Sequence, residues 1–108
     1  MATITINEDN FEKEVIGSEL PVLVDFYASW CMPCRMLAPV LESLSAELDG
    51  TARIGKVNVG DEPELAERYH IRSVPTMLLF RGGSVTDTLV GAVGKEQILG
   101  VLGGTRKL

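Results

Sequence analysis

An α/β domain, with a mixed sheet of about five strands flanked by four helices, is what three features of this 108-residue chain predict. The run Val22-Leu23-Val24-Asp25-Phe26-Tyr27-Ala28 is apolar at nearly every position, as in a strand buried on both faces in the middle of a sheet. Strand-like and helix-like segments alternate along the chain, which argues parallel strands joined by crossover helices. Further on, Gly82-Gly83 separates two strand-like stretches, the signal of a tight hairpin that adds an antiparallel edge.

Taken in order, Thr3-Ile4-Thr5-Ile6 alternates and reads as a short strand, and Asn7 or Asp9 can cap a helix that carries Phe11 and Val15 at i, i+4 until Gly17. The central strand follows. A helix then continues through Met36, Leu37, Val40, Leu41, Leu44 and Leu48, with Pro39 forcing a kink and Asp49-Gly50 closing it. Ala52 to Val59 is a further strand. Asp61 as N-cap with Glu64 three residues on reads as a capping box, opening a helix with Leu65 and Tyr69. Met77 to Phe80 and Val85 to Val90 are the strands of the hairpin. Lys95 to Leu102 is a closing helix with Ile98, Leu99 and Leu102 facing inward, ended by Gly103-Gly104. With 45% hydrophobic residues, 1–108 is read as one domain with one core, without linker or repeat.

Ten Lys and Arg against fifteen Asp and Glu give a net charge of −5, with no basic cluster, so nucleic acid and anionic membrane are excluded and a protein partner is expected. Met1-Ala2-Thr3-Ile4-Thr5-Ile6 lacks the basic flank and apolar core of a signal peptide, and no apolar run approaches the roughly 18 residues of a membrane span. A cytoplasmic location is the expectation. There a disulfide is more often catalytic or sensing than structural, and two cysteines make no disulfide scaffold.

Both cysteines and the single tryptophan fall in Trp30-Cys31-Met32-Pro33-Cys34-Arg35, directly after the central strand. Two thiols two residues apart, where a strand gives way to a helix, can close a small disulfide, and the helix N-terminus stabilises a thiolate on the first. Cys31 is therefore the expected nucleophile, with its pKa lowered from about 8.5 into the roughly 3.5–7.5 range of such motifs, and Cys34 the resolving thiol. Pro33 suits a first helical turn, where its missing N–H costs nothing. The competing reading is a zinc half-site, but a closed site needs four ligands and the chain offers these thiols and His70, which leaves metal or cluster binding between molecules. Asp25, inside the apolar run, is either a structural carboxylate with a fixed hydrogen bond or an acid whose raised pKa lets it exchange a proton near neutrality.

Six blocks carry a closer likeness: Val24-Asp25-Phe26, Ala28 to Arg35, Pro39, Lys56-Val57-Asn58-Val59, Ile71-Arg72-Ser73-Val74-Pro75-Thr76 and Val90-Gly91-Ala92. From about Ile4 to Leu102 the chain resembles the thioredoxin family. The resemblance implies a central sheet with four helices and the dithiol at the end of a strand. It also implies reduction of protein disulfides by reversible exchange at Cys31–Cys34, with no bound cofactor. Electrons would come indirectly from NADPH or another donor through a thioredoxin reductase, and the other partners would be disulfide-containing client proteins. A monomer is expected. The same resemblance places Asp25 behind the disulfide as proton acceptor for Cys34, and Lys56 near Asp25, where its charge lowers that carboxyl's pKa. It makes the Val74-Pro75 peptide cis and sets it, with Gly91, beside the dithiol, in a groove with Trp30, Met32 and Pro33 where an extended client can pair.

Plainer readings stand beside these. Lys56 could be an exposed strand residue, Pro75 a rigid strand start, Gly91 a tight bend and Trp30 plain core. Pro39 is read as structural, and His70, where the family often has Gly, as a helix C-cap rather than a catalyst. Two positions depart from the family. Met32 replaces the usual Gly, which either shifts the redox poise and the range of clients or is a tolerated surface change. Tyr27 stands where many members have Trp, a change read as affecting packing more than chemistry. Two other functions share the fold: a disulfide oxidant or isomerase, and a redox-gated binding subunit.

Overall fold

The computed structural model describes residues 3–103. Five strands alternate with helical segments: β1 (Ile4–Thr5), a π-helical turn (Glu12–Ile16), β2 (Val22–Tyr27), α1 (Met32–Glu47), β3 (Arg53–Asn58), α2 (Pro63–Arg68), β4 (Thr76–Arg81), β5 (Ser84–Val90) and α3 (Lys95–Gly103). They form one sheet in the order β1-β3-β2-β4-β5. β2 lies in its centre, parallel to β3 and antiparallel to β4. The antiparallel half of the sheet therefore begins at β4 and is not confined to the hairpin edge. Between β3 and β4 the six residues of α2 rise about 9 Å, and the connection does not run back along the sheet. The chain enters β4 from the end at which it left β3.

Alternate residues of β2 feed two cores. Val24 and Phe26 join Phe11 and Val15 of the first helical segment, Leu65 of α2 and Phe80 of β4. Tyr69 completes that layer, its ring edge-on to Phe80 with centroids 5.3 Å apart. Leu23 joins Leu37, Leu41 and Leu44 of α1, Met77 and Leu79 of β4, and Ile98 of α3. Phe11, Phe26, Tyr69 and Phe80 pack on one face and α1 lies against the other.

Local chemistry decides several ends. Asn7 and Asn10 each accept the other's backbone N–H through Oδ1, at 2.9 and 2.8 Å, and so cap the turn that leads into the first helical segment. That segment closes with the Gly17 N–H on the Glu12 carbonyl, five residues back, which makes it a π turn instead of the expected α-helix. The expected capping box at Asp61 does not form. Glu62 is the N-cap without a side-chain bond, Pro63 takes the first turn, and Asn58 holds the approach by accepting the Asp61 and Glu62 N–H groups on its carbonyl. The Glu62 carboxylate instead accepts the Glu8 N–H at 3.1 Å. α2 ends in a Schellman motif, with Ile71 N–H on Ala66 and His70 N–H on Glu67, and His70 adopts φ +56° at the position glycine usually takes. Gly82 and Gly83, at φ +60° and +86°, make the tight hairpin turn. Pro39 lies inside α1, which the structure carries through to Glu47. Leu99, expected to face inward, is exposed, because it lies at the edge of the apolar stripe of α3. Gly103 is the last residue of α3; Gly104 lies outside the described residues.

Gly55 pairs with Ile4 on one side and Val24 on the other, and a Cβ there would stand 2.7 Å from Cγ1 of buried Ile6. Gly55→Ala is expected to destabilise the fold by about 1–3 kcal/mol through overpacking. Urea unfolding checks this, and an unchanged midpoint would contradict it.

Candidate functional site

β2 ends at Tyr27, and the chain turns through Ala28, whose carbonyl accepts the Cys31 N–H at 3.2 Å. Cys31 is the N-cap of α1, at φ −90° and ψ 115°, and its sulfur accepts the Cys34 N–H at 3.2 Å. A side chain accepting from the third helical residue is the ordinary N-cap arrangement, here made by sulfur. Pro33 falls in the first turn, where an N–H would have no partner in the helix. Cys31 and Cys34 form a disulfide with Cα atoms 5.3 Å apart, inside the range such bonds require. Both are buried in it, and they pack with Ala28, Tyr27, Val59 and Val74.

The Val74-Pro75 peptide is cis. The Val74 carbonyl oxygen lies 3.8 Å from the Cys31 sulfur, which in the disulfide has no proton to donate. Pro75 is buried, and its carbonyl accepts the Gly91 N–H at 2.8 Å, tying the β5 end to the same corner. Gly91 has φ +91°, and a Cβ there would meet nothing within 4 Å, so the backbone bend rather than crowding asks for glycine. Trp30 is 78% exposed and Met32 60%, which rules out a core role for either ring or thioether. They line two separate clefts. Trp30 lines a cleft of about 220 Å³ with Val59, Ala66, Ile71, Arg72, Ser73 and Val74. Met32 lines one of about 260 Å³ with Pro33, Met36, Leu37, Val40, Ala92 and Val93. Larger hollows lie away from the disulfide; one, of about 650 Å³, runs beside Ile4, Ala46, Asp49 and Arg53.

Asp25 is buried, and neither of its oxygens has a hydrogen-bond partner among the described residues. It shares a face of β2 with Leu23, which packs against α1, and lies two residues nearer the disulfide end. Burial pushes its carboxyl up from 3.8 to about 6, and the charge of Lys56 pulls in the opposite direction. Lys56 stands opposite Asp25 in the β2–β3 register. Its ammonium lies over the Tyr27 ring, 4.8 Å from the centroid, and makes no ion pair with the carboxylate. Tyr27 is thus the residue that sequence reasoning undervalued: it touches the disulfide cluster and the lysine together. Only the strand register, which puts Tyr27 one period beyond Asp25 on the same face, could have flagged it.

A model of the family described as Thioredoxin matches residues 2–103. The chain belongs to the thioredoxin family. It is 45% identical over 101 residues to a thioredoxin of Synechocystis sp., covering 94% of both chains. It is 50% identical over 91 residues to a thioredoxin of Chlorobaculum thiosulfatiphilum, 84% of each, and 45% identical over 94 residues to one from Rickettsia bellii, 87% of this chain and 90% of that one. With the cysteine pair at disulfide distance, membership of the thioredoxin family gives this chain a dithiol/disulfide redox function. Thioredoxins carry no bound cofactor; their partners are a thioredoxin reductase and disulfide-containing clients. Among the described residues no group of three or more His, Cys, Asp or Glu could hold a metal ion, and no helix is long and apolar enough to cross a membrane.

A raised carboxyl pKa means that the folded state favours protonated Asp25. Its stabilising contribution is complete below pH 3.8 and is lost as pH rises through about 6. A rise of about two pH units is worth on the order of 3 kcal/mol. Asp25→Asn should therefore gain about that much stability relative to the parent chain between pH 3.5 and pH 7.5. Parallel denaturation curves at the two pH values decide it; a gap that does not widen contradicts the burial effect.

Proposed function

We propose that this thioredoxin is a protein-disulfide reductase in which Cys31 attacks and Cys34 resolves. The supporting observation is the N-cap geometry: a negative charge on the Cys31 sulfur meets the Cys34 N–H and the N-terminal end of α1, whereas Cys34 lies inside the helix, its sulfur without such a backbone donor among the described residues. The Cys31 thiolate attacks one sulfur of a client disulfide, forming a mixed disulfide and releasing the other client sulfur as thiolate. Cys34, giving its proton to Asp25, then attacks the Cys31 sulfur and forms the Cys31–Cys34 disulfide as the reduced client leaves. Two electrons have passed to the client, and thioredoxin reductase supplies two more to reduce the Cys31–Cys34 disulfide again.

Asp25 suits the proton step because its carboxyl, raised to about 6, changes charge near neutrality, and Lys56 tempers that rise. Trp30, Met32, Pro33, Val74, Pro75 and Gly91 form the client groove, with the Val74 backbone beside Cys31 available to an extended segment. We read residues 1–108 as one domain, acting as a monomer in the cytoplasm, where a lone cysteine pair is put to catalytic use.

Cys34→Ser is expected to trap clients as covalent mixed disulfides and Cys31→Ser to trap none, as read on non-reducing gels; equal trapping by both would overturn the assignment of nucleophile and resolving thiol. Asp25→Ala should slow resolution at pH 7 by about tenfold or more, since general-base assistance contributes on the order of 10²–10⁴. Stopped-flow release of reduced client measures this. A pH–rate profile matching that of the parent chain would return Asp25 to a structural role.

A further inference from the structure

Asp25 and Lys56 face each other across neighbouring strands, one a buried carboxyl and the other a cation with a side chain long enough to reach it. Such a pair ordinarily closes into an ion pair, because the unpaired buried carboxylate is the costlier state. Here it does not close. The Lys56 ammonium is taken up by the face of Tyr27, 4.8 Å from the ring centroid, and both Asp25 oxygens are left without a hydrogen bond among the described residues. Lys56 is half-buried and so has two candidate partners on β2: Asp25 directly opposite and Tyr27 diagonally toward the disulfide.

We propose that Tyr27 is a positioning residue, whose ring draws the Lys56 ammonium off the Asp25 carboxyl and so keeps that carboxyl free to accept the proton of Cys34. This rests on the reading of Asp25 as proton acceptor given above. An aromatic face attracts an ammonium more strongly as water is withdrawn, and both Tyr27 and Lys56 are half-buried. Were the ammonium to swing back onto Asp25, it would hold the carboxylate ionised and weaken it as a base. The other groups packed around Asp25 do not compete for this role. β4 sets Met77 opposite it, and α1 lays Leu37 and Cys34 on that face, the latter closed in the disulfide. Lys56 is the charged group whose field acts on Asp25.

The test is a titration of Asp25 itself, followed through its side-chain carboxyl carbon resonance in the oxidised full-length protein. Tyr27→Leu removes the ring, and the midpoint is expected to fall by about one pH unit, the low end of what a close opposite charge does to a carboxyl. Tyr27→Phe, which keeps the π face, should titrate as the parent chain does. In a Lys56→Met background, Tyr27→Leu should move the midpoint no further, since there is no ammonium left to redirect. Two results would overturn the proposal: an unchanged midpoint in Tyr27→Leu, or a fall of full size that persists without Lys56, which would mean that the ring acts only by excluding water. Tyr27→Met is the substitute, read in the same way, if Tyr27→Leu does not fold. No client or reductase enters this experiment, so its failure is separate from failure of the kinetic test of Asp25.

Discussion

β2 is hydrogen-bonded along both edges and buried on both faces, and the geometry of the site is set relative to it. Because side chains alternate, the strand has one register in which Val24 and Phe26 meet the aromatic layer while Leu23 and Asp25 meet α1. A slip of one residue would send the carboxyl into the aromatic layer, away from the disulfide. The apolar stripe of α1 docks on the same face, and its first buried residue is Cys34. The packing that stabilises the domain therefore also places a buried acid and the resolving sulfur on one side of one strand.

Two acids near that strand end are treated in opposite ways. Asp25 is denied water and hydrogen bonds, which favours its neutral form. The Cys31 sulfur receives a backbone N–H at a helix N-terminus, which favours its charged form. In the proposed mechanism that difference leaves Cys31 as the attacking thiolate and Asp25 as the acceptor of the Cys34 proton. Lys56 is the element that could cancel the difference. Its charge opposes the rise of the Asp25 carboxyl to about 6 without reversing it.

Much of this was legible in the residues because local rules and tertiary packing agree there. The continuous apolar run marked β2, the Gly82-Gly83 pair marked the hairpin, and Cys-x-x-Cys with Pro33 at a strand-to-helix change marked the first turn of α1. His70 was readable as a helix terminator, although the structure puts it in the left-handed region at some steric cost. What escaped depended on partners remote in sequence. Glu62, 54 residues from Glu8, pairs with that backbone N–H, and Asn58 holds the approach to α2, so the Asp61 box had no role left. Helical periodicity put Leu99 inside because it gives the width of a stripe poorly, and only packing shows where the stripe stops. The Lys56–Tyr27 contact needs the strand register, which residues 29 positions apart do not reveal locally.

The two clefts beside the disulfide differ in kind, and that difference bears on how the proposed groove tells clients apart. On one side the wall is Trp30, a rigid ring with Val59, Ile71 and the Val74 segment behind it. On the other it is Met32 and Met36, one helical turn apart, unbranched and exposed. A rigid aromatic wall selects by shape, whereas thioethers re-form around whatever apolar side chain arrives at little rotamer cost. In the proposed reading a client segment over Cys31 meets both walls, with the Val74 carbonyl as the polar group beside the sulfur. Glycine at position 32 would leave the second wall low and the groove open on that side. Methionine there makes both flanks apolar, so in the proposed reading client choice rests on apolar side chains at two positions and on backbone pairing between them, with the net charge of −5 acting only over longer range.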